Sequence, residues 1–527
     1  MISIKTCLEL ILECIALMAH NDHPPNSPQK TSSPSVADEG LTNTEDAEDR
    51  ALMRKVDWHL LPILTLLYLL SFLDRANIGN AKLDGLTTDI GVKGANYNTA
   101  LALYFVGYVL WEVPANIVLK RFNPKVWLPT LTLAWGIVSI CQGFVKNQAG
   151  LFAVRFFLGT AEAGLFPGVI YVFSVYYRRR ERHWRVAVFF GGAAVSGAFG
   201  GILAWAIGKM DGVGGQPGWA WIFILEGLLT VVVAVSAYWL VPNWPDNASF
   251  LTQDEKTRLI ARSIYDSAGV SEQFKWKYVR HALTDHLVWA YAFLFHGFAF
   301  VLYSLSLFLP TIIAGLGYAS WEAQLLTVPP YALSTVCIGM TAWLASIYNR
   351  RAMFIIGSAV VGILGYILLL ATHTAGRQYV GVHLACVSGL DLALKLRGET
   401  EARRGQAGVY TGNALLLSWP GENVAPQTKR AVAVAMQISI GDLGAIAGVL
   451  IYRPEWSANR FRKPHIISIG YLAFAIIVTA WLWFWMTREN QRRERLMVGD
   501  EKGSVQEMGA EERIDRGDLH IGWRYHT

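Results

Sequence analysis

Leu73-Asp74-Arg75-Ala76-Asn77-Ile78-Gly79-Asn80-Ala81 sets an acid directly beside an arginine at the end of a long apolar segment. Upstream, Trp58 to Leu73 reads WHLLPILTLLYLLSFL, and with Asp74 to Ile78 it reaches the roughly 20 residues needed to cross a hydrocarbon core. Ionisable side chains at membrane depth are costly, so the pair marks a substrate or proton pathway.

The rest of the chain agrees with a membrane setting. Of 527 residues, 53% are hydrophobic and only 16% charged, with 20 Trp and 48 Gly, whereas a soluble protein of this length carries more charge. The net charge of +6 is modest, and its basic clusters fall between apolar runs, which fits orientation in a bilayer and argues against nucleic-acid binding. Cys7, Cys14, Cys141, Cys337 and Cys386 show no metal-ligand or redox spacing and read as ordinary thiols. No metal or cofactor is expected, and no nucleophile elbow or nucleotide loop suggests an enzyme. Residues 1–50, rich in Pro, Ser, Asn and acid after residue 20, read as a disordered N-terminal tail.

Apolar runs near 58–78, 97–119, 126–145, 150–176, 186–208 and 219–241 predict six spans within a first half, residues 51–242. Runs near 286–314, 323–347, 352–372, a broken one between 377 and 419, 430–452 and 465–487 predict six more within residues 286–487. The fold class is therefore all-α with twelve transmembrane helices in two six-helix halves. Arg178, Arg179, Arg180, Arg182 and Arg185 after the fourth run, and Arg488, Arg492, Arg493 and Arg495 after the last, fall on one side with Lys120, Arg121, Arg350 and Arg351. The positive-inside rule makes that side cytoplasmic and puts both termini there, including a tail over 488–527. Arg453, Arg460, Arg462 and Lys463 run against the pattern.

Two stretches lie outside the spans. In the linker 243–285, Thr252-Gln253-Asp254-Glu255 reads as a capping box opening an interfacial helix. Val387 to Gln406, VSGLDLALKLRGETEARRGQ, carries seven charged residues into the tenth span, too many for a lipid-exposed helix. Its removal joins YVGVHLAC to AGVYTGNALLLSW as one uncharged run. The stretch reads either as a retained intron or as a genuine insertion looping out of span ten. On the first reading the functional transcript lacks these codons, and cDNA sequencing that finds them in an active protein removes it.

Within RFFLGTAEAGLFPG, Arg155 and Glu162 stand seven residues apart, which puts them on roughly one helix face about 10 Å apart. A buried carboxylate suits a proton carrier and an arginine fork grips a substrate carboxylate, but an internal salt bridge holding helices together fits the same spacing. Glu112 and Glu226 read toward the cytoplasmic ends of their spans, where gating or pairing with loop arginines is expected. Asp442 sits mid-span in QISIGDLGAIAG, where a cavity role competes with close packing through Gly441, Gly444 and Gly448. His296 reads as a hydrogen-bonded core histidine. Tyr303 and Tyr331 stack on a heteroaromatic acid only if they face the pore.

With these residues in view, the chain resembles the anion:cation symporter branch of the major facilitator superfamily, in particular fungal allantoate and nicotinate permeases. The resemblance rests on LDRANIGNAKLDGL, GYVLWEVPANIVLKRFNPKVW, RFFLGTAEAGLFPGVIY and NVAPQTKRAVAVAMQISIGDLGAIAG. It implies proton coupling at Asp74 and Glu162. Substrate contacts fall to Arg75, Arg155, Asn77, Tyr303 and Asp442, with Arg75 gripping the carboxylate and Arg155 coupling the proton sites. Gating falls to Glu112, Lys120, Arg121, Glu226 and Arg350. The expectation is a monomeric, multi-pass plasma-membrane importer moving a small organic anion such as nicotinate or allantoate by proton symport. The rival is a nutrient receptor that binds the same anion without flux.

Overall fold

The computed structural model describes residues 39–267, 275–348, 350–386, 409–498 and 517–527. The charged stretch Val387 to Gln406, Asn349 and most of the N-terminal tail lie outside the described residues. Among the described residues the regular structure is all helical, and ten helices are long and apolar enough to cross a membrane.

The first half contains α1 (Glu39–Leu83), α2 (Asn96–Arg121), α3 (Pro124–Gln142), α4a (Gln148–Glu162) with its continuation α4b (Leu165–Tyr176), α5 (Arg179–Gly208) and α6 (Gly218–Leu240). The second half contains α7 (His286–Ala314), α8 (Val328–Tyr348), α9 (Arg351–Ala371), α10a (Ala375–Cys386), α10b (Val409–Asn423), α11 (Gln427–Leu450) and α12 (Arg462–Val498). Within the halves α2 packs on α4a, α1 on α5, α3 on α6, α7 on α11 and α9 on α12, while α5 meets α8 and α2 meets α11 across them. Large apolar side chains such as Phe157, Val232, Ile477 and Phe484 stay exposed around the bundle. In water that surface would drive aggregation, whereas in a bilayer it faces hydrocarbon.

Glycine decides how closely the helices approach. A Cβ at Gly159 would collide with the Tyr104 carbonyl, and one at Gly107 with that of Phe156, so α2 and α4a meet backbone to backbone. Gly444 and Gly448 do the same for α11 against the His296 and Phe300 carbonyls of α7. The packing role open to these glycines is therefore present, and it leaves Asp442 free to serve another. His296 lies at that contact with Nδ1 2.9 Å from the Ile440 carbonyl, in a core setting.

Charged segments brace one face of the bundle, called here the tail face. The linker helix Gln253–Ser267 starts with reciprocal bonds between Thr252 and Glu255. Glu255 pairs with Lys55 at 2.8 Å and Arg262 with both Asp49 at 3.1 Å and Glu181 at 2.5 Å. Arg185 grips Asp57 through two bonds of 2.6 and 2.8 Å. The pairing of Glu48 and Asp49 with Arg258 and Arg262 explains why helix starts before residue 51, inside the expected tail. In the second half, residues 517–527 lie across the ends of α9, α10b, α11 and α12. The Asn490 and Asn423 side-chain amides each form two-way bonds with the backbone of Tyr525 and His526, and Lys429 joins Asp285 at 2.6 Å to Asp518 at 2.7 Å. The α12 helix also runs past the expected end at residue 487, carried by Glu489 pairs with Arg492 and Arg493 one turn on.

Candidate functional site

Arg75 is held between the halves. It sits one turn after Ser71 on α1, so the two side chains share a face. Both reach Glu162: Ser71 Oγ and the Tyr104 hydroxyl donate to it, and Arg75 Nη2 lies 3.3 Å from Glu162 Oε1. Tyr104 arrives there because Gly159 lets α2 press against α4a. From the second half, the Tyr303 hydroxyl accepts from Arg75 Nη1 at 2.8 Å. The guanidinium carbon stands 5.0 Å from the Tyr104 ring, 5.5 Å from those of Tyr108 and Tyr303, and 5.6 Å from Phe72. These aromatic faces stabilise a cation away from bulk water. Arg75 Nε has no hydrogen-bond partner among the described residues, which leaves a donor at the seam for a ligand.

The ion pair of this cluster is thus Arg75 with Glu162, and not the Arg155–Glu162 pair that the seven-residue spacing allowed. Arg155 is fully buried, with its guanidinium carbon 5.3 Å from the Tyr104 ring, and its Nε and Nη1 find no hydrogen-bond partner among the described residues. Tyr104 is the residue common to Arg75, Arg155 and Glu162. Opposite, Asp442 on α11 lies within electrostatic reach of Arg75 and of Glu112 on α2. Both acids are buried, and Asp442 Oδ2 and Glu112 Oε2 find no hydrogen-bond partner among the described residues.

Asp74 points elsewhere. One residue along a helix is a turn of about 100°, so Asp74 faces away from its neighbour's partners. Its Oδ1 accepts from Ser139 at 2.9 Å and its Oδ2 from Thr230 at 3.2 Å, placing it among α1, α3 and α6 inside the first half. Asn77 lies in the same cluster and donates to Glu226. The structure therefore puts Glu226 against the C-terminal part of α1, in the part of α6 nearer Gly218, which differs from the place toward the cytoplasmic end expected from sequence. The two carboxylates expected to carry protons, Asp74 and Glu162, thus occupy separate clusters, one closed within a half and one at the seam.

On the tail face Arg350 is exposed, and Arg351 is the buried arginine, 2.5 Å from Glu422. The side chains of Lys120 and Arg121 lie outside the described residues. The Tyr331 ring is packed on Gly197 and its hydroxyl donates to the Ser306 carbonyl at 3.3 Å. Ser71, Tyr104, Tyr108, Ser139 and Thr230 were not singled out from sequence. For Ser71 the signal was present, four residues ahead of Arg75.

Comparison with known proteins bears on the whole bundle. A model of the Major Facilitator Superfamily matches residues 64–449. An uncharacterized transporter of Schizosaccharomyces pombe is 34% identical over 461 residues, covering 87% of each chain. The MFS-type transporter cnsO of Penicillium expansum is 33% identical, covering 88% of this chain and 89% of its own. Among solved structures, the proton:xylose symporter XylE bound to 6-bromo-6-deoxy-D-glucose has a TM-score of 0.60 at 13% identity, covering 81% of this chain and 95% of that one. At that identity the likeness shows the fold alone.

Proposed function

The chain belongs to the major facilitator superfamily and is a multi-pass membrane transporter, and from that premise we propose that it imports a small organic anion together with protons. The observation that carries the proposal is the Arg75–Glu162 pair at the seam of the two halves. A substrate carboxylate and the Glu162 carboxylate compete for one guanidinium fork. When Glu162 takes a proton its claim on Arg75 weakens, and the fork is released to bind the anion bidentately. Anion and proton are then favoured together, which is the thermodynamic content of symport.

In this reading Tyr303 and Asp442 sense the occupied site from the second half, and the Phe72, Tyr104 and Tyr108 faces suit a flat acid alongside Tyr303. Arg155 couples the proton sites behind Tyr104. Asp74, with Asn77 and Glu226, forms a second proton store within the first half. Rocking of the halves about this midplane cluster alternates access. The braced tail face is assigned to the cytoplasm, with the protein a monomer in the plasma membrane, and Glu112, Lys120, Arg121 and Arg350 are assigned to gating at that side.

Uptake of labelled carboxylates in a permease-deficient cell tests this directly. Uptake rises as external pH falls, and accumulation collapses with a protonophore, because Glu162 loads its proton outside and releases it inside. Flux indifferent to both treatments overturns proton symport, and binding without any flux leaves the receptor reading in its place.

A further inference from the structure

We infer that Asp84, just beyond α1 on the face opposite the tails, is a proton-sensitive latch that holds that mouth of the transporter shut. The inference rests on the proposed orientation, which makes this face external. Asp84 belongs to the first half, and its Oδ1 accepts from Gln324 Nε2 of the second half at 2.9 Å. Its other oxygen, Oδ2, is buried beside Gly208 with no hydrogen-bond partner among the described residues. A carboxylate oxygen in that position is deprived of water without compensation, and a proton removes the charge that makes the burial costly.

The surroundings show that this face is closed at Asp84. Gly201 of α5 rests directly on the Gln324 carbonyl and the Thr327 hydroxyl, at a distance that no side chain could enter. Nearby, Asn98 of the first half donates to the Val449 and Tyr452 carbonyls of the second at 2.6 and 3.1 Å. Lys82 lies 4.6 Å from the Tyr97 ring and 5.4 Å from that of Phe308, again one residue from each half. Opening this mouth must separate Asp84 from Gln324 and return it to water.

Among the described residues, the charged groups around Asp84 give it no cationic partner. Lys82 is engaged with the two rings, Lys209 lies 3.7 Å from the Trp205 ring, Asp89 accepts from Trp219, and Glu322 caps the Ala319 amide. Burial pushes the Asp84 carboxyl up to about 6, opposed by the Gln324 bond and assisted by the charge of Asp211. In the open mouth it returns to the ordinary carboxylate range. The closed state is thus the better proton binder. The stabilisation is fully present below about pH 4, is lost as pH rises through about 6, and favours closure of the substrate-free transporter in external acid, setting a lower pH bound on the rise in uptake that Glu162 drives.

The test follows a buried seam residue. Thr327→Cys in a Cys141→Ala background places a thiol that a membrane-impermeant reagent reaches from outside only when the mouth opens. Without substrate, its labelling rate, normalised to the unfolded chain, falls about fourfold from external pH 7.5 to 5.5, and Asp84→Asn flattens that dependence. Gln324→Met removes the opposing bond and moves the midpoint to higher pH, a readout that stands even if Asp84→Asn folds poorly. A pH profile unchanged by Asp84→Asn, or labelling from the tail face alone, overturns the latch. Labelling insensitive to pH with uptake still sensitive to protonophore removes the latch and leaves symport standing. The opposite pattern retains the latch and removes symport.

Discussion

Arg75→Lys lowers affinity for the transported anion by well over tenfold. The guanidinium serves two partners in different directions at once, Glu162 at 3.3 Å and Tyr303 at 2.8 Å, under aromatic faces on several sides. An ammonium is a point charge that cannot keep both contacts and present a flat fork to a carboxylate. Losing one buried charged hydrogen bond costs about 2 to 5 kcal/mol, which is about thirtyfold or more in binding. Direct binding of a competing carboxylate to the purified transporter measures this without depending on flux. Arg155→Lys is the control, since Arg155 lies behind Tyr104 and forms no ion pair among the described residues. Normal binding by Arg75→Lys with loss in Arg155→Lys reverses the two assignments.

Glu162→Gln abolishes accumulation against a gradient while leaving binding and exchange largely intact. The amide resembles the protonated acid in shape and charge, so Arg75 is released permanently and the anion site stays usable. What disappears is the step in which deprotonation lets Glu162 reclaim the guanidinium and expel the anion. Counterflow of labelled substrate from preloaded vesicles, compared with proton-driven uptake in the same vesicles, separates these functions. Equal loss of both assigns Glu162 to holding α4a against α1.

The span pattern was legible because hydrocarbon imposes a simple rule on composition, and among the described residues ten helices are long and apolar enough to cross a membrane. Their ends were less legible, since Glu48, Asp49 and Glu489 extend helices through charge pairs with partners far away or one turn on. Arg75 and Glu162 stood out as charges in apolar surroundings, but their pairing did not, because it is set by Gly159 admitting Tyr104. Asp74 is the clearest limit. Adjacency in the chain suggested a shared site with Arg75, while the helical turn sends its carboxylate to Ser139 and Thr230.

The two braces on the tail face differ in when they come into being. The linker helix leaves the ribosome directly after α6, so Lys55, Asp49 and Glu181 can find their partners while the second half is still unmade. Residues 517–527 are synthesised after every helix they join, and Asn490 and the second ion pair of Lys429, with Asp518, must wait for them. During biogenesis the first half can thus be finished early, whereas the second stays unlocked until its own final stretch arrives, which makes that interval the one in which quality control would find its polar groups unmatched.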